Sequence, residues 1–123
     1  MTDTPTLASP DARLATIARL NDRCRQGLDR TARILITRAC LGTFADNRAA
    51  EIVAQAEILS ALRAYQFRDA EADERDRGNF DYRGTTVYFR IDYYDAAMEY
   101  GSEDPADASQ TRRMLTIMLR EDL

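Results

Sequence analysis

Carboxylates and tyrosines are concentrated in one stretch of the chain. The segment RIDYYDAAMEYGSEDPAD, residues 90–107, holds six carboxylates and three tyrosines. Carboxylates act as general acids, as general bases or as ligands of hard cations such as Mg²⁺ and Mn²⁺. Tyrosines offer amphipathic contact area to a partner. The stretch therefore raises two alternatives: a carboxylate-based site for hydrolysis or phosphoryl transfer, and an acidic surface that contacts another protein.

The residue types that the chain lacks narrow this chemistry. It has no histidine, and its 17 basic side chains are all arginines. Without histidine there is no imidazole base and no serine or cysteine triad of the usual kind. Without lysine there is no Schiff base and no P-loop, and no glycine-rich phosphate motif is present, so no cofactor is predicted. Catalysis would have to use carboxylates, tyrosines, arginines or a bound metal, and whether the acids bind a metal is left open.

An enzymatic site would centre on Asp92 and Asp95, holding Mg²⁺ or Mn²⁺ with a further acid of the same stretch. The two residues lie three positions apart at a strand end, so they share a face only if the chain turns sharply at Tyr94. Asn21 is predicted in the middle of the buried side of the first helix, where an amide either hydrogen-bonds to neighbouring backbone or lines a pocket. Asn21, Asp92 and Asp95 are therefore the candidate pocket residues.

The alternative is a non-enzymatic interaction surface that complements a basic partner. Residues 1–63 carry nine arginines against seven acids, a balance of +2, whereas residues 64–123 carry eight arginines against fourteen acids, a balance of −6. The acidic half disfavours direct binding of DNA or RNA unless the arginines cluster on one face, and it favours a protein partner with a basic surface. The predicted interaction residues are Tyr88, Tyr94, Glu99, Tyr100, Glu103, Asp104 and Asp107.

Length and composition predict the class of protein. A chain of 123 residues that is 45% apolar and 31% charged suits one globular domain. No apolar run approaches the ~18 residues of a membrane span, and the first residues lack the pattern of a signal peptide. We expect a cytoplasmic protein without membrane contact, and a homodimer is left open.

The pattern along the chain predicts the elements that position these residues. Ser9, Pro10 and Asp11 form a helix start, and Gly27 supplies the stop. Alternation of period two predicts a hairpin that turns at Arg83-Gly84, with Tyr93 facing inward and Tyr94 outward. The other predicted elements are a strand over 31–39, a loop over 41–44, a helix from Asp46 to Ala64 whose apolar face includes Ile52, Val53, Leu59 and Leu62, and a last strand over about 113–119.

These elements predict an α+β fold in the order α-β-α-β-β-β. Two helices would pack on one face of a small, mainly antiparallel, four-stranded sheet. Residues 1–8 are predicted to be a disordered lead, and residues 9–123 a single α+β domain. The last strand is largely apolar on both sides, which indicates an interior position in the sheet or contact with a partner chain.

Four segments carry a resemblance to a known family. IARLND (17–22), FRIDYYD (89–95), YGSEDPAD (100–107) and RMLTIMLRED (113–122) together resemble a bacterial family, domain of unknown function 3768. The resemblance implies a mainly alphaproteobacterial family, often encoded near plasmid or other mobile-element genes, with no assigned reaction. A small acidic protein in that setting would be an accessory factor that binds and inhibits a host defence or nucleic-acid-processing protein, of the anti-CRISPR or anti-restriction type, or one that assists plasmid maintenance.

Overall fold

The computed structural model describes residues 9–68 and 73–123 of the chain. The first helix, α1, spans Pro10–Arg25. Its start follows the sequence, because the Ser9 side chain accepts a hydrogen bond from the Ala12 N–H and Pro10 occupies the first turn. The helix ends before Gly27, whose φ of 77° is a left-handed conformation that glycine adopts without strain.

Two further helices lie between the first and second strands. Strand β1 is short, Arg33–Ile36, and helix α2, Arg38–Phe44, begins directly after Thr37, whose side chain accepts the Cys40 N–H. Helix α3 spans Arg48–Arg63 and is capped by Asn47. The sequence-based prediction of a loop over 41–44 is therefore wrong, since these residues belong to α2.

The remaining strands complete a mixed sheet. Strand β2 is Arg77–Tyr82, β3 is Thr85–Tyr94 and β4 is Arg112–Met118, followed by a short C-terminal 3-10 turn, Arg120–Asp122. The strand order is β1-β4-β3-β2. Strands β2 and β3 pair antiparallel, as do β3 and β4, whereas β1 and β4 pair parallel. The hairpin turns at Arg83 and Gly84, which both have positive φ as a two-residue turn of the primed type requires.

One face of the sheet, the inner face, packs against the helices. The inner-face residues include Val87, Phe89 and Ile91 of β3 and Leu115 and Ile117 of β4, all at most 2% exposed. They form one core cluster with residues from all three helices: Cys24 of α1, Cys40 of α2, and Ile58 and Leu62 of α3. The alternation predicted for β3 is confirmed, and Tyr93 lies on the inner side as expected.

The opposite face of the sheet is the outer face. It carries the alternate residues of each strand, whose side chains point away from the inner face. One row crosses all four strands in register, from Leu35 through Thr116 and Arg90 to Arg77. Leu35, Arg77 and Arg90 are exposed and Thr116 is half-buried. Apolar, polar and arginine side chains therefore share a surface that the helices do not cover.

The observed architecture confirms the α+β class and refines the expected layout. Among the described residues there are three α-helices instead of two, and the sheet is mixed because β1 joins β4 in parallel. The predicted order α-β-α-β-β-β thus lacks one helix. The predicted disordered lead, residues 1–8, lies outside the described residues. In the part of the chain that the structure describes, no helix is long and apolar enough to cross a membrane.

Candidate functional site

The loop that joins β3 to β4, residues 95–111, is built from a set of short backbone and side-chain bonds. Asp95 acts as a cap: its Oδ1 accepts the Glu99 N–H at 3.0 Å, and its own N–H donates to the Tyr100 carbonyl at 2.7 Å. An isolated bridge pairs Tyr94 with Gly101. Asp95 thus caps the turn that follows it, and the chain after Asp95 folds back beside the end of β3.

The second half of the loop is held by turns of short polar residues. The Asp104 N–H donates to the Ser102 hydroxyl, and the Thr111 hydroxyl donates to the Asp104 carbonyl at 2.8 Å. Asp107 Oδ1 accepts from the Ser109 N–H and hydroxyl, an arrangement typical of an aspartate-initiated turn. These bonds lower the pKa of Asp107 below its ordinary value, because they stabilise the carboxylate form.

A buried polar network fixes this loop to the rest of the domain. Arg113 Nε donates to Oδ1 of Asn21 at 2.6 Å, and Arg113 Nη2 donates to the Pro105 carbonyl at 2.6 Å. The Asn21 amide in turn donates to the Tyr93 hydroxyl at 2.7 Å and to the Glu74 carbonyl at 3.0 Å. The network therefore joins α1, β3, β4, the segment before β2 and the loop.

The charge at the centre of this network is held mainly by neutral groups. Arg113 is only 1% exposed, and it forms no ion pair with any residue that the structure describes. Its guanidinium lies 5.1 Å from the centroid of the Tyr93 ring, a distance suited to a cation–π contact. Burial lowers the pKa of Arg113 and raises the pKa of Tyr93, because both lose water around their charged forms.

An open cleft of about 550 Å³ lies on the surface of this loop. We call it the loop cleft, and it is lined by Asp95, Ala96, Ala97, Tyr100, Gly101, Glu103 and Gln110. Tyr100 is 73% exposed, which makes it the most exposed of the large apolar and aromatic side chains described. The lining therefore joins two carboxylates, an exposed aromatic ring and two small alanine side chains.

The composition of the loop cleft suits a cationic side chain. A guanidinium or ammonium group is attracted by carboxylates and by the face of a tyrosine ring. The cleft is open, so the cation keeps part of its hydration and its entry costs less desolvation than full burial would. The loop is already ordered by its own hydrogen bonds, which limits the conformational entropy lost on binding.

The structure divides the predicted interaction residues among three places. Tyr100 and Glu103 line the loop cleft, and Glu99 is exposed beside them. Asp104 is engaged by Arg13 of α1 at 2.6 Å and Asp107 by its own turn. The remaining two, Tyr88 and Tyr94, lie on the outer face of the sheet with Arg90 and Asp92.

The three predicted pocket residues are not brought together. Asn21 is fully buried on the inner side of the sheet, whereas Asp92 lies on the outer face, where its carboxylate accepts from Arg90 at 3.1 Å. Asp95 lies in the loop cleft, beyond the end of the strand. Residues 9–68 and 73–123 contain no cluster of three or more His, Cys, Asp or Glu side chains that could hold a metal ion. Asn21 thus has the structural role that its position on the helix predicted as one alternative.

Several residues of the site were not selected from the sequence, among them Arg113, Gln110 and Pro105. Arg113, which supports the loop, follows Arg112 in a strand-like segment. The alternation of the strand distinguishes the two, because it directs the Arg113 side chain to the inner face and the Arg112 side chain to the outer face. Gln110 carries no sequence signal, because its position in the loop cleft depends on how the loop folds. Pro105 acts through its backbone, because its carbonyl accepts a hydrogen bond from the buried Arg113 guanidinium, and a proline in a loop signals only a turn.

Comparison with known proteins gives one match. The model of a family described as "Protein of unknown function (DUF3768)" matches residues 42–122. The match contains three of the four segments on which the resemblance rests, and the first, residues 17–22, lies outside it. No curated protein and no solved structure matches the chain.

Proposed function

The chain belongs to the DUF3768 family, and from the geometry of its loop we propose that it is a protein-interaction module without enzymatic activity. The loop cleft is the docking site in this proposal, and its ligand is an arginine or lysine side chain of a partner protein. The observation that carries the proposal is the joint position of Asp95, Glu103 and the exposed Tyr100 around one cleft. The alternative is an Mg²⁺- or Mn²⁺-dependent hydrolase that uses Asp92 and Asp95. In the described ranges these two residues do not belong to any group of three or more side chains that could hold a metal ion.

The rigidity of the loop supports a docking role. The buried Arg113 guanidinium donates to the Pro105 carbonyl at 2.6 Å, and this bond ties the loop to β4. A surface that is ordered before binding loses less conformational entropy than a flexible one, so a small contact area gives more affinity. The exposed ring of Tyr100 supplies contact area at the low entropic cost of an aromatic side chain.

The class of partner follows from charge. The second half of the chain has a balance of −6, which attracts basic surfaces over distances of about 10 Å at moderate salt. A nucleic-acid-processing protein of a host defence system has a basic channel rich in such side chains, and it is the partner class that we propose to test first. Inhibition would then consist of occupying that channel, in the cytoplasm.

A labelled arginine-rich peptide tests the cleft directly. We expect saturable binding by fluorescence anisotropy and changes in backbone amide NMR signals confined to residues 95–111. Glu103→Gln and Tyr100→Ala should each weaken binding roughly three- to tenfold, since each removes one charged or cation–π contact. Binding should also weaken as salt rises, because the contact is largely electrostatic.

The matched control is Asp81→Asn, which removes one exposed carboxylate from β2. Asp81 pairs with Thr86, about 30 Å along β3 from Asp95, so its loss should leave peptide affinity unchanged. Equal weakening by Asp81→Asn and Glu103→Gln would show attraction by net charge alone. That result, or signal changes outside the loop, would contradict the assignment of the cleft.

A further inference from the structure

The outer face of the sheet carries one arginine from each of its four strands. These are Arg33 of β1, Arg77 of β2, Arg90 of β3 and Arg112 of β4. The strand register places their side chains on the same face, since residues paired across strands share a side and alternate residues along a strand share a side. The strands place two acids on that face, Asp81 and Asp92, and Asp76 and the turn residues Arg120 and Glu121 border it beside Arg77 and Tyr88.

Two of these arginines face each other directly. Arg77 and Arg90 are register partners in the β2–β3 pair. The Ile91 N–H donates to the Asp76 carbonyl, so the neighbouring 77–90 pair is of the type without backbone hydrogen bonds, in which side chains approach most closely. Like charges opposite each other destabilise a sheet. An anion bound between the two guanidiniums would remove this repulsion.

The carboxylates near these arginines neutralise them only in part. Asp76 lies 3.0 Å from Arg77, and Asp92 lies 3.1 Å from Arg90, but the two arginine side chains are 70% and 44% exposed. Exposed pairs of this kind contribute little and exchange readily with other anions. Arg33 and Arg112 form no ion pair with any residue in the described ranges. Arg112 donates Nη1 to the Thr111 carbonyl, and Arg77 donates Nε and Nη2 to Asp76, so only the remaining guanidinium N–H groups of this face are donors for a ligand.

Aromatic rings lie among the arginines. Tyr88 and Tyr94 are on the same strand and the same face, six residues and therefore about 20 Å apart, with Arg90 between them. Both tyrosines are half-buried, so part of each ring is accessible. Arginines that bind phosphates beside aromatic rings that stack on bases are the combination that single-stranded nucleic acids require.

We infer that the outer face binds the backbone and bases of a single-stranded nucleic acid. Arg33, Arg77, Arg90 and Arg112 contact phosphates, and Tyr88 and Tyr94 stack on bases. A duplex fits less well, because reading its major groove takes a protruding helix or two-stranded ribbon and this face is a sheet. The sequence disfavoured nucleic acids unless arginines cluster on one face, and the strand register provides that cluster. This inference is independent of the function proposed for the loop cleft.

Anisotropy of a labelled oligothymidine of about 20 nucleotides, titrated with the full chain, tests the inference. We expect a dissociation constant in the micromolar range at low salt. With three or four phosphates contacted, log K should fall with log salt at a slope of about −2 to −3, a loss of roughly 20- to 50-fold between about 50 and 200 mM salt. Labelled RNA and duplex DNA of the same length serve as the other arms, and we expect the duplex to bind more weakly.

Variants locate the site on the sheet. Arg33→Gln and Arg112→Gln should each weaken binding roughly three- to tenfold and reduce the salt slope by about 0.7. Tyr88→Ala should weaken it roughly tenfold with an unchanged salt slope, because a stacked base and not a phosphate contact is lost. The matched control is Arg19→Gln on the exposed side of α1, which removes the same charge and should have no effect. Circular dichroism of each variant confirms the fold.

Several outcomes would overturn the inference. One such outcome is that the anisotropy does not change at low salt with protein at about 100 μM. The chain would then bind the oligonucleotide no better than weak non-specific complexes do. An equal loss for Arg19→Gln and Arg33→Gln would mean that the outer face is not the site. A polyglutamate peptide that displaces the oligonucleotide as well as unlabelled oligothymidine does would identify an acidic protein as the ligand. Glu103→Gln should leave oligonucleotide binding intact, which separates this test from that of the loop cleft.

Discussion

The side chains of Asn21 and Arg113 meet through a hydrogen bond of 2.6 Å across 92 positions of sequence. Both side chains are buried. Through this bond α1 holds Arg113, which in turn donates to the Pro105 carbonyl in the β3–β4 loop. Because neither group has access to water, loss of one partner leaves the other without its hydrogen bond in a medium of low polarity. This pair is therefore expected to control both the stability of the domain and the order of the loop.

The first prediction concerns this pair in a double-mutant cycle. Arg113→Met and Asn21→Leu should each lower the free energy of unfolding by about 2–4 kcal/mol, since each leaves a buried polar partner. The double variant should lose at least about 1 kcal/mol less than the sum of the two, because it leaves fewer orphaned groups. Urea unfolding followed by circular dichroism measures the three values. Additive losses would mean that the two side chains act independently.

The second prediction concerns Met98, whose φ is 60°. A residue with a Cβ in this left-handed conformation is strained, and glycine is not. Met98→Gly should therefore raise the free energy of unfolding by about 1 kcal/mol. Ala97→Gly is the control and should be neutral or destabilising, because no positive φ occurs there. A thermal denaturation series compares the two, and a lower midpoint for Met98→Gly would contradict the strain argument.

The third prediction concerns Gly78 on the inner face of β2. A Cβ at this position would lie 2.6 Å from Oη of Tyr65, so Gly78→Ala should cost about 1–3 kcal/mol of stability by overpacking. In a Tyr65→Ala background the same substitution should cost almost nothing. Gly42→Ala in α2 is the matched control, since nothing lies within 4 Å of its added methyl group. It should stabilise the protein by about 0.5–1 kcal/mol through helix propensity.

The fourth prediction is a loss of stability at alkaline pH. Burial raises the pKa of the Cys24 thiol to about 12 and that of Cys40 to about 11, from an ordinary value of 9.0. Between pH 9 and 11 the unfolded thiols release protons that the folded ones keep, so the free energy of unfolding falls as pH rises. The loss from Cys24 should be on the order of 2 kcal/mol by pH 11.

The thiols can be separated from other alkaline effects by substitution. A Cys24→Ala, Cys40→Ala variant should be less stable at pH 7 but should show a shallower fall between pH 9 and 11. The buried thiols should also react slowly with alkylating reagents in the folded protein and rapidly in urea, because the thiolate is the reactive form. An unchanged pH slope in the variant would assign the alkaline loss to other groups, of which Tyr93 and Tyr82 also have raised pKa values.

Local patterns in the sequence identified part of this fold. The serine cap and proline of α1, the two-residue turn at Arg83-Gly84 and the alternation of β3 depend on neighbouring residues, and all three are present. Helix α2 was missed, because its sequence RACLGTF contains a glycine and gives no clear apolar stripe. The face of α3 was only partly predicted: Leu62 is buried, but Ile52 and Val53 are 56% and 51% exposed. The buried stripe of α3 runs through Ala54, Ile58 and Leu62 instead.

The sequence by itself determined the α+β class and the position of the acidic loop. It also excluded the chemistry that depends on histidine and lysine, because the chain contains neither residue. What only the tertiary structure decided is which side chains meet. The parallel pairing of β1 with β4 joins residues about 80 positions apart, and it depends on packing between distant segments instead of on local preference. The same register gathers one arginine from each strand on the outer face, and the buried Asn21–Arg113 contact ties the β3–β4 loop to α1 and β4 through the Pro105 carbonyl. Non-local contacts of this kind leave no periodic signal in the chain, because each partner is specified only by the fold that brings it near.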